Sequence, residues 1–143
     1  MKLKLALLVG LFAFGNAMSA SAGAITDNDG DLVPDQFDNC RTHANGPNQT
    51  TNQVDSDLDG YGNRCDADFN NDAATNVADF GTFLVTFGQP TLGQTDMNGD
   101  GICNVGDFGL FLVKFSGAGA ANQPGPSGLA CAKANPGVNN CTP

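Results

Sequence analysis

The sequence predicts a small protein without a large hydrophobic core: irregular loop repeats first, then an all-α loop–helix–loop–helix unit. Three observations carry that expectation. A twelve-residue template with oxygen-bearing side chains at positions 1, 3, 5, 9 and 12 recurs four times, at 27–38, 55–66, 68–79 and 96–107. All 15 acidic residues are Asp, and each falls on one of those positions, with Asn filling the remaining slots. Apolar residues recur at helical spacing after the third and fourth copies. A solvated acidic linker would instead scatter its charge.

The template is that of a calcium loop. A hard cation takes about six to eight oxygens, and a short loop supplies them by alternating side chains with backbone. Position 1 is Asp27, Asp55, Asp68 and Asp96; position 3 is Asp29, Asp57, Asn70 and Asn98; position 5 is Asp31, Asp59, Asp72 and Asp100. Position 7, which offers its backbone carbonyl, is Val33, Tyr61, Ala74 and Ile102. Position 9 is Asp35, Asn63, Asn76 and Asn104, and position 12 is Asp38, Asp66, Asp79 and Asp107. Up to four Ca²⁺ ions are expected. The 96–107 copy is the most regular, with Gly101 at position 6, where Leu32 and Ala73 stand in the first and third loops. A left-handed conformation costs leucine roughly 1–2 kcal/mol, so the first site is expected to be distorted or weaker.

Ahead of the loops, Met1 to Lys4 is basic, Leu5 to Phe14 is apolar but too short to span a bilayer, and Ala20-Ser21-Ala22 offers a cleavage site. Residues 1–22 therefore read as a secretory signal peptide, and the protein as secreted, extracellular or periplasmic. No Cys at that junction invites a lipid anchor, and no later apolar run is long enough to anchor the chain in a membrane. The mature chain carries Arg41, Arg64, Lys114 and Lys133 against 15 Asp, a formal charge near −11. Nucleic acid and anionic membranes are poor partners for it. Four calcium ions would bring that charge to about −3, so the metal-free chain repels itself and the loaded chain can be compact.

Five Cys in an exported chain are expected to be oxidised where they can pair. Pairing Cys40, which follows the first loop, with Cys65 in the second would tie the two loops together, worth about 3.5 kcal/mol in the chain-entropy model. Cys131 and Cys141 are expected to close a small C-terminal hairpin. Cys103, at position 8 of the fourth loop, reads as a buried free thiol, the alternative being a bond to the tail or to a second chain. Zinc is not expected: there is no Cys-x-x-Cys and only one His, His43.

The first half offers few residues to bury, namely Leu32, Val33, Phe37, Val54, Leu58 and Tyr61, so metal and disulfide must substitute for a core. Asp27-Asn-Asp-Gly-Asp-Leu-Val-Pro-Asp-Gln-Phe-Asp-Asn-Cys40 and Gln53-Val-Asp-Ser-Asp-Leu-Asp-Gly-Tyr-Gly-Asn-Arg-Cys65-Asp66 resemble thrombospondin type 3 repeats. The resemblance implies calcium wrapped by backbone with little secondary structure, over residues 23–66, and it supports the Cys40–Cys65 pairing. The run from His43 to Gln53 has turn chemistry and reads as the loop under that disulfide.

In the second half, Phe80, Phe83, Leu84 and Phe87 share one helix face, and Phe108, Phe111, Leu112 and Phe115 repeat the spacing 28 residues on. Gly81 and Gly109 sit inside these helices at a cost of roughly 1 kcal/mol each, which suggests close approach of the two helices. Gly88 to Thr95 returns the chain for the second unit. Two calcium loops, each opening a helix, resemble a dockerin over about residues 67–117. The resemblance implies two antiparallel helices with internal two-fold symmetry and a cohesin-like or other extracellular protein as partner. Loop positions 10 and 11 choose the partner in that family, and here they are Val77, Ala78, Val105 and Gly106. The helices carry one basic residue, Lys114, where cohesin-binding faces are often richer. Residues 118–143 read as a Gly/Pro-rich linker and a disulfide-closed tail.

Together these readings describe a small calcium-stabilised protein: calcium-wrapped repeats followed by a dockerin-like unit. Every carboxylate is assigned to a loop, and one His, one Tyr and no Trp remain, an inventory that points away from catalysis. Two functions stay open: a module that docks a partner, and a calcium-rigidified adhesion or spacer module without a cohesin partner.

Overall fold

The computed structural model describes residues 25–115, 124–134 and 141. The expected signal peptide, residues 1–22, lies outside these, as does most of the linker beyond Phe115. No helix is long and apolar enough to cross a membrane among the described residues.

Residues 25–76 form neither helix nor strand. Their sequence is dense in Asp, Asn and Gly, which bond their own backbone in turns instead of joining a ladder. Of the six apolar residues available for a core, only Tyr61 is buried; Leu32 and Phe37 are more than 60% exposed at 67% and 63%. The interior is polar instead. Asp31, Asp38, Asn45 and Asp59 are buried around the Cys40–Cys65 disulfide. Asn45 and Gln53, in the run read as a plain loop, are central to it. The Gln53 side chain donates to Asp38 Oδ1 and Asn45 Oδ1 and accepts from the Asn39 amide. Asn45 donates through its side chain to Asn39 Oδ1 and through its backbone to Asp31 Oδ2. An amide side chain both donates and accepts, so it can satisfy neighbouring carboxylates and backbone together.

Helix α1 spans Val77–Thr86 and α2 spans Val105–Phe115. Each begins on an Asn whose side chain accepts from the amide two residues on: Asn76 from Ala78, and Asn104 from Gly106. Asp79 and Asp107 reach back to the Asn76 and Asn104 amides, completing reciprocal caps. Phe83 and Phe111 are fully buried with ring centroids 5.5 Å apart. Phe80 of α1 packs against Phe108, Phe111 and Phe115 of α2, and Phe80, Phe83, Phe87 and Phe108 line one recess between the helices.

Five of the eight residues of the expected stripes, Phe80, Phe83, Phe108, Phe111 and Phe115, pack at the core. Leu84, Phe87 and Leu112 are exposed, and Phe69, Met97 and Cys103 fill the core instead. Phe69 and Met97 are the second residues of the third and fourth loops, so each loop plugs the helix pair from outside the periodic segment. The expectation for Gly81 and Gly109 is also corrected: both face solvent, and a Cβ on either would meet nothing within 4 Å. They do not serve helix–helix approach. Lys114 is buried, not displayed on a helix face, and its ammonium donates to the Gly125 carbonyl at 2.6 Å.

The segment after α1 pairs with the fourth loop through one antiparallel bridge, Pro90 with Ile102. A short helix α3, Ala130–Ala134, lies in the tail, where Cys131 bonds Cys141. Cys103 is free and buried, as its position implied.

Candidate metal centres

The loops fall into two pairs. In all four, the position 7 amide donates to the position 5 carboxylate: Val33 to Asp31, Tyr61 to Asp59, Ala74 to Asp72, and Ile102 to Asp100. In the first pair, position 1 accepts from the amides of positions 4 and 6, Gly30 and Leu32 to Asp27 and Leu58 and Gly60 to Asp55. In the second pair it accepts from positions 5 and 6, Asp72 and Ala73 to Asp68 and Asp100 and Gly101 to Asp96.

Position 9 differs between the pairs as well. Asp35 accepts from both the amide and the side chain of Asn28, and Asn63 accepts from the Ser56 amide. These two close their loops. Asn76 and Asn104 instead cap the helices while donating to Asp72 and Asp100. Position 12 follows: Asp38 and Asp66 accept from the amide two residues later, whereas Asp79 and Asp107 accept from the position 3 amides of Asn70 and Asn98.

Every loop holds two left-handed residues, at positions 4 and 6. These are Gly30 and Leu32, Leu58 and Gly60, Asn71 and Ala73, and Gly99 and Gly101. The fourth loop uses glycine at both, the first two at one, and the third at neither. Leu32 stands at φ 79°, a conformation costly for leucine, while Asp27, Asp29 and Asp31 still bring carboxylate oxygens within 4.8 Å of one another.

Three triads draw one carboxylate oxygen each to within 4.8 Å of one another: Asp27, Asp29 and Asp31; Asp55, Asp57 and Asp59; Asp96, Asp100 and Asp107. Among the described residues the third loop forms no such triad, although Asp68, Asp72 and Asp79 keep the hydrogen bonds of the fourth. Calcium fits these triads on a specific ground. Both carboxylate oxygens of Asp29 and of Asp57 are buried, as are Asp38 Oδ2 and Asp59 Oδ2, and none has a well-formed hydrogen bond, although the Asp31 amide bears on Asp29 and the Asn71 side chain on Asp57. Buried acceptors of negative charge short of hydrogen bonds are costly unless a cation answers them.

The carboxyls register that cost. Burial raises Asp29, with Asp31 and Asp38 adding repulsion. Asp57 is pushed up to about 6 by burial, offset by Asn71 and reinforced by Asp55. Asp59 reaches about 7, through burial first and then through Asp57, Asp55 and Asp68. Asp66 is likewise raised well above the ordinary carboxylate range, by burial first and then by Asp59.

Two segments of the chain, residues 26–48 and 54–80, match the thrombospondin type 3 repeat. These repeats are calcium-binding extracellular modules. The second match runs through the third loop, so three of the four loops fall in thrombospondin-type sequence, although the third is hydrogen-bonded like the fourth. No curated protein and no solved structure matches the chain. Sequence reasoning missed Asn39, Asn45 and Gln53 as supports of the thrombospondin-type sites, because amides in a polar run signal turns as readily as a polar core.

Proposed function

We propose that the protein is an exported, non-catalytic calcium module. Its four loops fold around the ion, and its helix pair docks an extracellular protein in the manner of a dockerin. The calcium reading is carried by the three Asp triads, whose oxygens converge within 4.8 Å, with the oxygens of Asp29 and Asp57 buried and short of well-formed hydrogen bonds. Circular dichroism and calorimetry in calcium and then in chelator test it. The chelated chain is expected to lose helix and its cooperative transition, and identical traces in both states would refute the reading.

Docking is supported by the outward face of α1 and α2. Val77 and Val105, at equivalent positions, are 73% and 75% exposed, and Ala78 and Gly106 are exposed beside them. The helices' charged residues, Asp79, Asp107 and Lys114, are all buried. A highly acidic chain thus presents an uncharged surface there, twice over, suited to a cohesin-like partner. Pull-down of exported proteins with calcium should capture a partner that Val77→Asp with Val105→Asp loses. Calcium-dependent capture unaffected by both substitutions would reject these helices as the docking face.

One observation favours the spacer reading. The halves are clasped by Thr50 to Asn98, Ser56 to Leu92 and Asn63 to Gly93, a rigid connection that a spacer requires.

A further inference from the structure

The C-terminal segment lies across the first two calcium loops at the place where their disulfide joins them. The Gly128 amide donates to the Asp38 carbonyl and the Gly125 amide to the Cys65 carbonyl, at 2.8 and 3.2 Å, while Pro126 accepts from the Arg41 amide. Farther on, the Cys141 amide donates to the Leu58 carbonyl at 2.9 Å, and Tyr61 Oη donates to the Ala132 carbonyl. The fit leaves no slack. A Cβ on Gly128 would overlap the Asp35 carbonyl, one on Gly60 would overlap Cys141 Sγ, and one on Gly125 would lie 2.7 Å from the Tyr61 ring.

Each anchor belongs to a calcium loop or touches one. Asp35 and Asp38 close the first, and Leu58, Gly60 and Tyr61 form the turn of the second, whose position 7 carbonyl is that of Tyr61. We propose that this segment is a calcium-dependent strap: it seats only on loops drawn together around the ion, and by seating it holds those loops in the binding geometry. The inference rests on the calcium reading above. Its physical basis is reciprocity, because a segment that binds the loaded loops better than the empty ones must strengthen ion binding by the same factor. Without the ion, carboxylates crowded within 4.8 Å repel, the loops open, and the carbonyls that receive the strap separate.

Hydrogen exchange followed by NMR on the full chain tests the proposal without substitution. In calcium, the Gly125, Gly128 and Cys141 amides should be protected; in chelator they should lose protection together with the Leu58 and Tyr61 amides. Tyr61, the sole tyrosine in a chain without tryptophan, should become accessible to a fluorescence quencher in the same step. The converse uses Gly128→Val, which bars the strap and removes no ligand. It should weaken the first two sites about tenfold and leave the helix-linked sites within about twofold. Strap amides equally protected in chelator would overturn the proposal, and so would Gly128→Val binding calcium like the parent at every site. Should the variant fail to fold, exchange on the parent at partial calcium loading decides: strap protection that tracks the Leu58 and Tyr61 amides supports the strap, and strap protection that tracks only the helix amides overturns it. Absence of any calcium binding by calorimetry would overturn the calcium reading itself, an outcome distinct from binding that leaves the strap unmoved.

Discussion

The Thr50 hydroxyl donates to the Asn98 carbonyl at 2.6 Å, joining residues 48 positions apart and clasping the first half to the fourth calcium loop. Ser56 and Asn63 donate across the same boundary to Leu92 and Gly93. These bonds are expected to make the two halves unfold as one. Thr50→Val with Ser56→Ala should remove roughly 1 kcal/mol per bond and split a single calorimetric transition into two in calcium. One sharp transition in the double variant would show that packing alone couples the halves.

Backbone strain ranks the sites. The third loop carries left-handed Asn71 and Ala73, at φ 58° and 69°, where the fourth has glycine at both places. Ala73→Gly should relieve about 1 kcal/mol and tighten calcium at that loop several-fold in a calorimetric titration. Gly101→Ala should weaken the fourth loop by a similar factor. Equal affinity in parent and Ala73→Gly chains would remove strain as the cause of any ranking.

Acid should compete with calcium at the second loop. Asp57 and Asp59 stand at about 6 and about 7 in the metal-free fold, against an ordinary 3.8, chiefly through burial. Ion binding requires both deprotonated, so affinity should fall as pH drops from 8 to 6, with proton release detectable by titration in buffers of different ionisation enthalpy. The metal-free fold has the opposite sign. Between 3.8 and 7 it holds more protons than the unfolded chain, so its stability falls as pH rises through the folded values and is regained on acidification. Affinity independent of pH across that window would contradict the burial of these carboxyls.

Removing the Cys40–Cys65 bond, which closes a separation of 25 residues, should cost about 3.5 kcal/mol in calcium. Urea titration of Cys40→Ser with Cys65→Ser measures it. The loss should concentrate in the first two loops, with the helix signal at 222 nm retained, since among the described residues α2 reaches that bridge only indirectly, through Lys114 and Gly125.

The Asp triads were legible because a hard cation would demand oxygen at fixed intervals, and Asp used nowhere else made the template conspicuous. The helices and most of their packing face were legible from period, but the loop residues that complete the core were not. Phe69 and Met97 compete for the core from loop positions that no periodicity marks, displacing Leu84 and Leu112 to the surface. Gly81 and Gly109 misled for a related reason, since a repeated glycine signals a repeated surface without saying whether it faces inward. The tail was illegible because its partners are mostly backbone carbonyls, which every sequence possesses.

The polar interior of the first half also decides how temperature acts on it. Unfolding a core of carboxylates, amides and a disulfide exposes little apolar surface. Its heat-capacity change should therefore lie well below the roughly 12–15 cal/mol/K per residue of ordinary domains. A small heat-capacity change flattens the stability curve against both heat and cold. The state of that half is then governed by the calcium concentration around it far more than by the thermometer.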